Sequence, residues 1–178
     1  MTADLPTLLR RDHAEFHREL TLLLDPSATV EDLQDGLDGL RLGLIAHAEA
    51  EDIVLGPIET SPRLVDAIRE VRSSHLAQEK ALATLVATRP GTDAWRVHAH
   101  YLREIVGFHA RHEQAQLMPA LRDHAPTFPS LAGLFATERL RQLGMLVPSQ
   151  PILLPPELRA DRDRFAQGSG QFERSEML

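Results

Sequence analysis

The sequence predicts an all-α fold: an up-down-up-down four-helix bundle followed by an additional C-terminal helix and an extended tail. Three observations predict it. Apolar residues recur at helical spacing through four long segments, and no stretch of any length alternates with the period of a strand. The breaks between the segments are short and place Pro, Gly, Ser or Thr where helices end or begin. A set of histidines and glutamates occurs twice, the second copy 62 residues after the first (75 − 13), as two successive helix pairs would place it.

The first helix is expected from about Leu5 to Leu24. Leu5, Leu9, Asp12, His13, Phe16, Leu20 and Leu23 fall on one side, Asp4 or Thr2 caps it, and Asp25-Pro26 stops it. The second runs from near Thr29 to about Leu55, with Ser27 or Thr29 as cap and Glu31 and Asp32 in the first turn, where acids complement the helix dipole. Its seam reads Leu33, Leu37, Leu40, Leu44, His47, Glu51, Val54, so His47 and Glu51 occupy core positions, and Gly56-Pro57 ends it. Gly36, Gly39 and Gly43 lie inside this helix. Each costs about 1 kcal/mol against Ala, which close packing against a neighbouring helix explains.

The third helix opens with Ser61-Pro62 and runs to about Thr88, with the seam Leu64, Ile68, Val71, His75, then Glu79 or Gln78, Leu82 and Val86. Arg89-Pro90-Gly91 forms a turn, Thr92 caps the fourth helix, and that helix runs from Asp93 to Asp123. Its inner side reads Trp95, His98, Leu102, Ile105 or Val106, His109, Glu113, Leu117. At about 1.5 Å per residue, His75 and His109 each lie roughly 20–24 Å from the shared turn, so they come level. After Pro126 and Pro129 a shorter helix is expected from Ser130 to Leu146. Pro148, Pro151, Pro155 and Pro156 preclude a long helix beyond it, and the polar end reads as a mobile tail that packs, if at all, through Ile152, Leu153 and Leu154. The expected division is a bundle over 1–124 and an extension over 125–178.

Composition narrows the function classes. The formal net charge of −7 and the lack of a basic stripe argue against a nucleic-acid or anionic-membrane partner. No apolar run reaches membrane-spanning length, and the N-terminus lacks the basic start and apolar core of a secretory signal, so a cytoplasmic protein is expected. Without cysteine there is no disulfide, iron–sulfur cluster or thiol chemistry, and any metal must take nitrogen and oxygen ligands.

The repeat carries the chemistry. His13, His47 and Glu51 recur as His75, His109 and Glu113, with the same 34-residue spacing between the histidines (47 − 13 and 109 − 75). Each second His is followed by Glu one turn on and by a proline, Pro57 or Pro119, at the matching place. His and Glu four apart share a helix face. Four imidazoles and two carboxylates directed at one bundle axis are ligands for a pair of transition-metal ions, and six groups shared between two ions leave an open position. A buried carboxylate without a partner is very costly, which is why Glu51 on an apolar seam points to a cation rather than to simple packing.

This pattern resembles the hemerythrin-like, or HHE cation-binding, family over about Leu5 to Leu121. The resemblance implies two non-haem iron ions, oxo- or hydroxo-bridged, although the ligand chemistry also suits manganese or zinc. It implies that His13 and His47 bind one ion, His75 and His109 the other, and that Glu51 and Glu113 bridge. Oxygen-carrying members have a further His one turn after the third-helix His, where this chain has Glu79, and end in His-x4-Asp, where it has His109-x3-Glu113. That departure points away from reversible O₂ carriage. Glu79 and its repeat counterpart His17 are further candidates, either binding metal or orienting an imidazole. His98 is too far along its helix for the same site, and His100, His112 and His124 are expected at the periphery.

The expected function is a di-iron protein that binds, senses or handles O₂, NO, peroxide or iron. The alternative is an enzyme that disproportionates peroxide or reduces NO, and a third reading is a metal-free helical interaction module. The expected partner is a small diatomic ligand or peroxide, with a homodimer or partner protein engaged through the extension.

Overall fold

The computed structural model describes residues 4–58, 62–123 and 131–146. Among them every regular element is helical. Helix α1 spans Leu5–Leu22, α2 Val30–Leu55, α3 Pro62–Val86, α4 Asp93–His112, α5 Met118–Asp123 and α6 Leu131–Leu146. Ser61, His124 and everything from Val147 onward, including the expected contacts of Ile152 to Leu154, lie outside the described residues. No described helix is long and apolar enough to cross a membrane.

Local chemistry sets the ends. Asp4 caps α1 by accepting from the Thr7 amide at 2.9 Å. Thr29 rather than Ser27 caps α2, in a capping box: the Asp32 amide donates to Thr29 Oγ1 and the Thr29 amide donates to Asp32 Oδ2. Thr92 caps α4 through the Trp95 amide. The turn before it needs Gly91, whose φ of 77° is open to glycine at no steric cost.

The fourth helix is not the uninterrupted one expected to Asp123. At Glu113–Leu117 it widens into a π turn, in which the Met118 amide donates to the Glu113 carbonyl, before α5 resumes. Pro119 supplies the reason: it has no amide hydrogen, and its ring would clash with the carbonyl four residues back in a regular α-helix. The matched Pro57 sits instead in a 3₁₀ turn, Gly56–Ile58, that ends α2.

Helix α1 packs against α2 and α4, and α3 against α4 and α2, while α6 lies on α2 and α1. Two apolar clusters result. One gathers Leu9, Val54, Leu64, Ile68, Leu117 and their neighbours with Phe135 of α6. The other gathers Phe16, Leu20, Leu40, Leu85, Trp95, Leu102 and their neighbours. The indole of Trp95 donates to the Leu23 carbonyl at 3.2 Å and ties α4 to the end of α1. Helices α1, α2 and α3, and α4 with the π turn that follows it, pass from one cluster to the other through a polar layer, at residues 12–13, 47–51, 74–78 and 109–113.

Candidate metal centre

The polar layer is built by the helical period. His47 and Glu51, and likewise His109 and Glu113, are one turn apart on inward faces, while His13 and His75 come from α1 and α3. All six residues are buried. His47, Glu51, His75, His109 and Glu113 each bring a ligand-type atom within 4.8 Å of the others. His13 joins through its Nε2, 3.4 Å from Glu113 Oε2.

Each carboxylate lies between histidines of both halves. Glu51 Oε2 is 3.6 Å from His47 Nε2 and 3.3 Å from His75 Nε2. Glu113 is 2.8 Å from His109 Nε2 and 3.4 Å from His13 Nε2. The rings pair as well: His13 and His47 centroids are 5.1 Å apart, His75 and His109 4.8 Å. Despite these short separations, the Nε2 atoms of all four histidines and both carboxylate oxygens of Glu51 and Glu113 are buried without a hydrogen bond.

Electrostatics follow from the crowding. Burial, reinforced by the neighbouring imidazoles His47, His109 and His75, pushes the His13 imidazolium down to about 2. Burial likewise pushes His109 down to about 3, against the opposing charge of Glu51. Burial raises both Glu51, where the like charge of Glu113 adds to it, and Glu113. At His47 burial favours the neutral ring, yet the hydrogen bond it donates to Asp12 and the charges of Glu51 and Glu113 prevail and raise it. The depressed imidazoles of His13 and His109 beside carboxylates that are costly to ionise belong to a set that a bound cation would satisfy.

Two sequence candidates stand outside this group. His17 and Glu79 are exposed. The inward positions are one residue earlier, at Phe16 and Gln78, both buried. Three residues on from a ligand turns the side chain about −60°, four residues about +40°, and the core lies on the former side. Of the remaining histidines, His98 is half-buried, with Ala99 taking the core place. His100 is exposed, and His112 stacks on Phe108 at 6.4 Å.

Sequence reasoning placed Asp12 on the inner side of α1 but gave it no task. Its Oδ2 lies 3.2 Å from His47 Nδ1 and accepts from Arg139 Nε of α6 at 2.6 Å. Carboxylate support of a ligand histidine fixes which ring nitrogen is free for metal. Phe135, also from α6, faces the same imidazole edge-on at 5.8 Å, and Phe16 faces it at 5.4 Å. The one available signal was an acid on the apolar seam of α1, next to His13, with no basic residue three or four positions away. Gly43 answers to Phe16 rather than to the metal: a Cβ there would meet Phe16 Cε1 at 2.8 Å.

No protein-family model, curated protein or solved structure matches the chain.

Proposed function

We propose that this chain is a hemerythrin-like four-helix bundle, α1 to α4 running up-down-up-down, whose buried layer holds two iron ions and which binds or senses O₂, NO, peroxide or iron in the cytoplasm. The observation that carries the reading is the set of four imidazole Nε2 atoms and four carboxylate oxygens that converge in the core with no hydrogen bonds among them. Buried polar atoms in folded proteins have partners. A cation is the partner that neutral imidazoles and carboxylates share.

In this reading His13 and His47 hold one ion and His75 and His109 the other. Glu51 and Glu113, each placed between one histidine of either pair, would help to hold both. When bound, the irons supply reversible one-electron chemistry and a coordination position for a small exogenous ligand. The protein's own part is orientation and exclusion. Asp12 fixes the His47 ring, and Phe16 and Phe135 keep water from it. The protein then needs no separate acid or base to bind a diatomic molecule.

Anaerobic titration of the metal-free chain with ferrous iron, followed by thermal melting, tests the proposal. Burying these groups without an ion is unfavourable, so the melting temperature should rise and saturate near roughly two equivalents. A melting temperature indifferent to ferrous, manganous and zinc ions would contradict it. Peroxide and NO decay on loaded protein, set against His109→Ala, then separates turnover from binding, since equal rates remove the enzymatic alternative.

A further inference from the structure

The polar layer opens to solvent on one side, through a groove of about 740 Å³ between α2 and α3. That volume lies within the usual range for small-molecule sites. The groove has a direction. One end is mainly apolar, formed by Leu44 and Ile45 of α2 and Leu82, Ala83 and Val86 of α3, with the charged side chains of Arg41 and Glu79 also lining it. The middle reaches His75 and Gln78, and the opposite end is closed by the Asp52–Arg72 ion pair at 3.3 Å. Leu76 and Val86 along it are exposed and extend its apolar lining.

Gln78 supplies the specific signal. It is 5 % exposed, lines the groove, and its Nε2 is a buried donor with no partner. Its repeat counterpart is Phe16, which seals the other half of the site. A donor therefore stands unpaired where an apolar wall would serve packing better, beside a candidate metal ligand and at the inner end of an apolar trough.

We propose that the groove binds an amphiphile, an apolar chain with an oxygen-acceptor head. The chain lies along Leu44, Ile45, Leu82, Ala83 and Val86, and the head accepts from Gln78 Nε2 next to His75. The placement of the head beside metal rests on the di-iron reading, whereas the seat of the chain does not. Carboxylates and peroxides share the required head chemistry. A cationic head is not served by the donor.

Calorimetric titration of the metal-loaded full chain with decanoate and, separately, decyl hydroperoxide tests this, and the tighter of the two identifies the head. Ala83→Trp fills the trough from an exposed position, and Val86→Glu places a charge at its apolar end. Each should weaken binding at least about tenfold. Gln78→Leu should weaken it about fivefold. Metal content should stay at the wild-type level in all three. Failure of both probes to bind wild type, or unchanged binding in both Ala83→Trp and Val86→Glu, overturns the groove. So does a loss of self-association in Ala83→Trp without probe binding, which would make the groove a contact between two copies of the chain. Probe binding that is sensitive to these variants in a protein taking up no metal would keep the groove and remove the di-iron reading. Stoichiometric metal without probe binding would do the reverse.

Discussion

The two halves of the candidate metal centre carry the same residue set in different walls. His13, His47 and Glu51 match His75, His109 and Glu113 at the 62-residue offset, and all six are buried in one layer. Around them the correspondence stops. Asp12, which supports His47 together with Arg139, has Ser74 as its counterpart, and the Nδ1 atoms of the other three histidines, His13, His75 and His109, are buried without partners. Phe16 corresponds to Gln78, Gly43 to Ile105, and the 3₁₀ turn at Pro57 to the π turn at Pro119. In the first half His47 is braced by Asp12 and faced by Phe16, whereas in the second half His75 lines the groove. Repetition thus preserves the histidines and glutamates that could hold a metal, while the residues around them differ between the halves.

The largest test of that contrast removes the brace. Asp12→Ala should weaken metal binding about 10- to 100-fold, the usual cost of losing support behind a ligand histidine. Ser74→Ala, at the matching position, should change it less than about threefold. Competition with a chelator of known affinity measures both, and equal effects would mean the halves are energetically alike. Arg139→Gln should fall between them, because Asp12 then keeps His47 but loses its own charge partner.

Next in size is the seal. Gly43→Ala forces Phe16 to move, at about 1–3 kcal/mol for overpacking. Gly39→Ala on the same helix meets nothing within 4 Å and should stabilise by up to about 1 kcal/mol. Urea unfolding of the two variants should therefore shift in opposite directions. Shifts of the same sign would mean that Phe16 is free to yield.

Acid probes the layer as a whole in the metal-free protein. His13 and His109 are depressed to about 2 and about 3 from 6.5, so their contribution is complete above 6.5 and is lost as the pH falls toward those values. Glu51 and Glu113 are raised above 4.5, so they favour the fold at low pH and lose that contribution as the pH rises through their folded values. His47, raised above 6.5, contributes fully throughout this acid range. The two sets oppose each other between 4.5 and 6.5, and below 4.5 the depressed histidines act alone. Melting temperature should accordingly fall most steeply between pH 4.5 and about 3. A flat profile there would show that the histidines are solvated.

The smallest expected effects belong to His17→Gln and Glu79→Gln. Both side chains are exposed, and metal affinity should change less than about twofold. A larger loss in either variant would bring that residue into the ligand set.

Much of this was legible in the sequence, for definite reasons. Helix seams such as Leu33–Leu37–Leu40–Leu44–His47 are read directly because burial follows the helical period, and Asp4, Thr29 and Thr92 cap where their chemistry requires. The candidate ligands stood out because they occur twice. What escaped depends on distance or on small angles. Arg139 is 127 residues from Asp12 and reaches it only because α6 packs on α1 and α2. Gln78 and Glu79 differ by one residue step, and only packing decides which faces inward. The π turn follows from Pro119 combined with the need to continue the helix, whereas the same residue type at Pro57 ends one.

The central claim is two metal ions in one buried layer. Metal analysis by mass spectrometry on chain purified without chelator, with an absorption spectrum of the same sample, tests it most directly. The account predicts roughly two irons per chain and near-ultraviolet charge-transfer bands, both lost in Glu51→Ala, whose carboxylate lies between the two histidine pairs. Substoichiometric metal in the wild type, or full metal in Glu51→Ala, would contradict it.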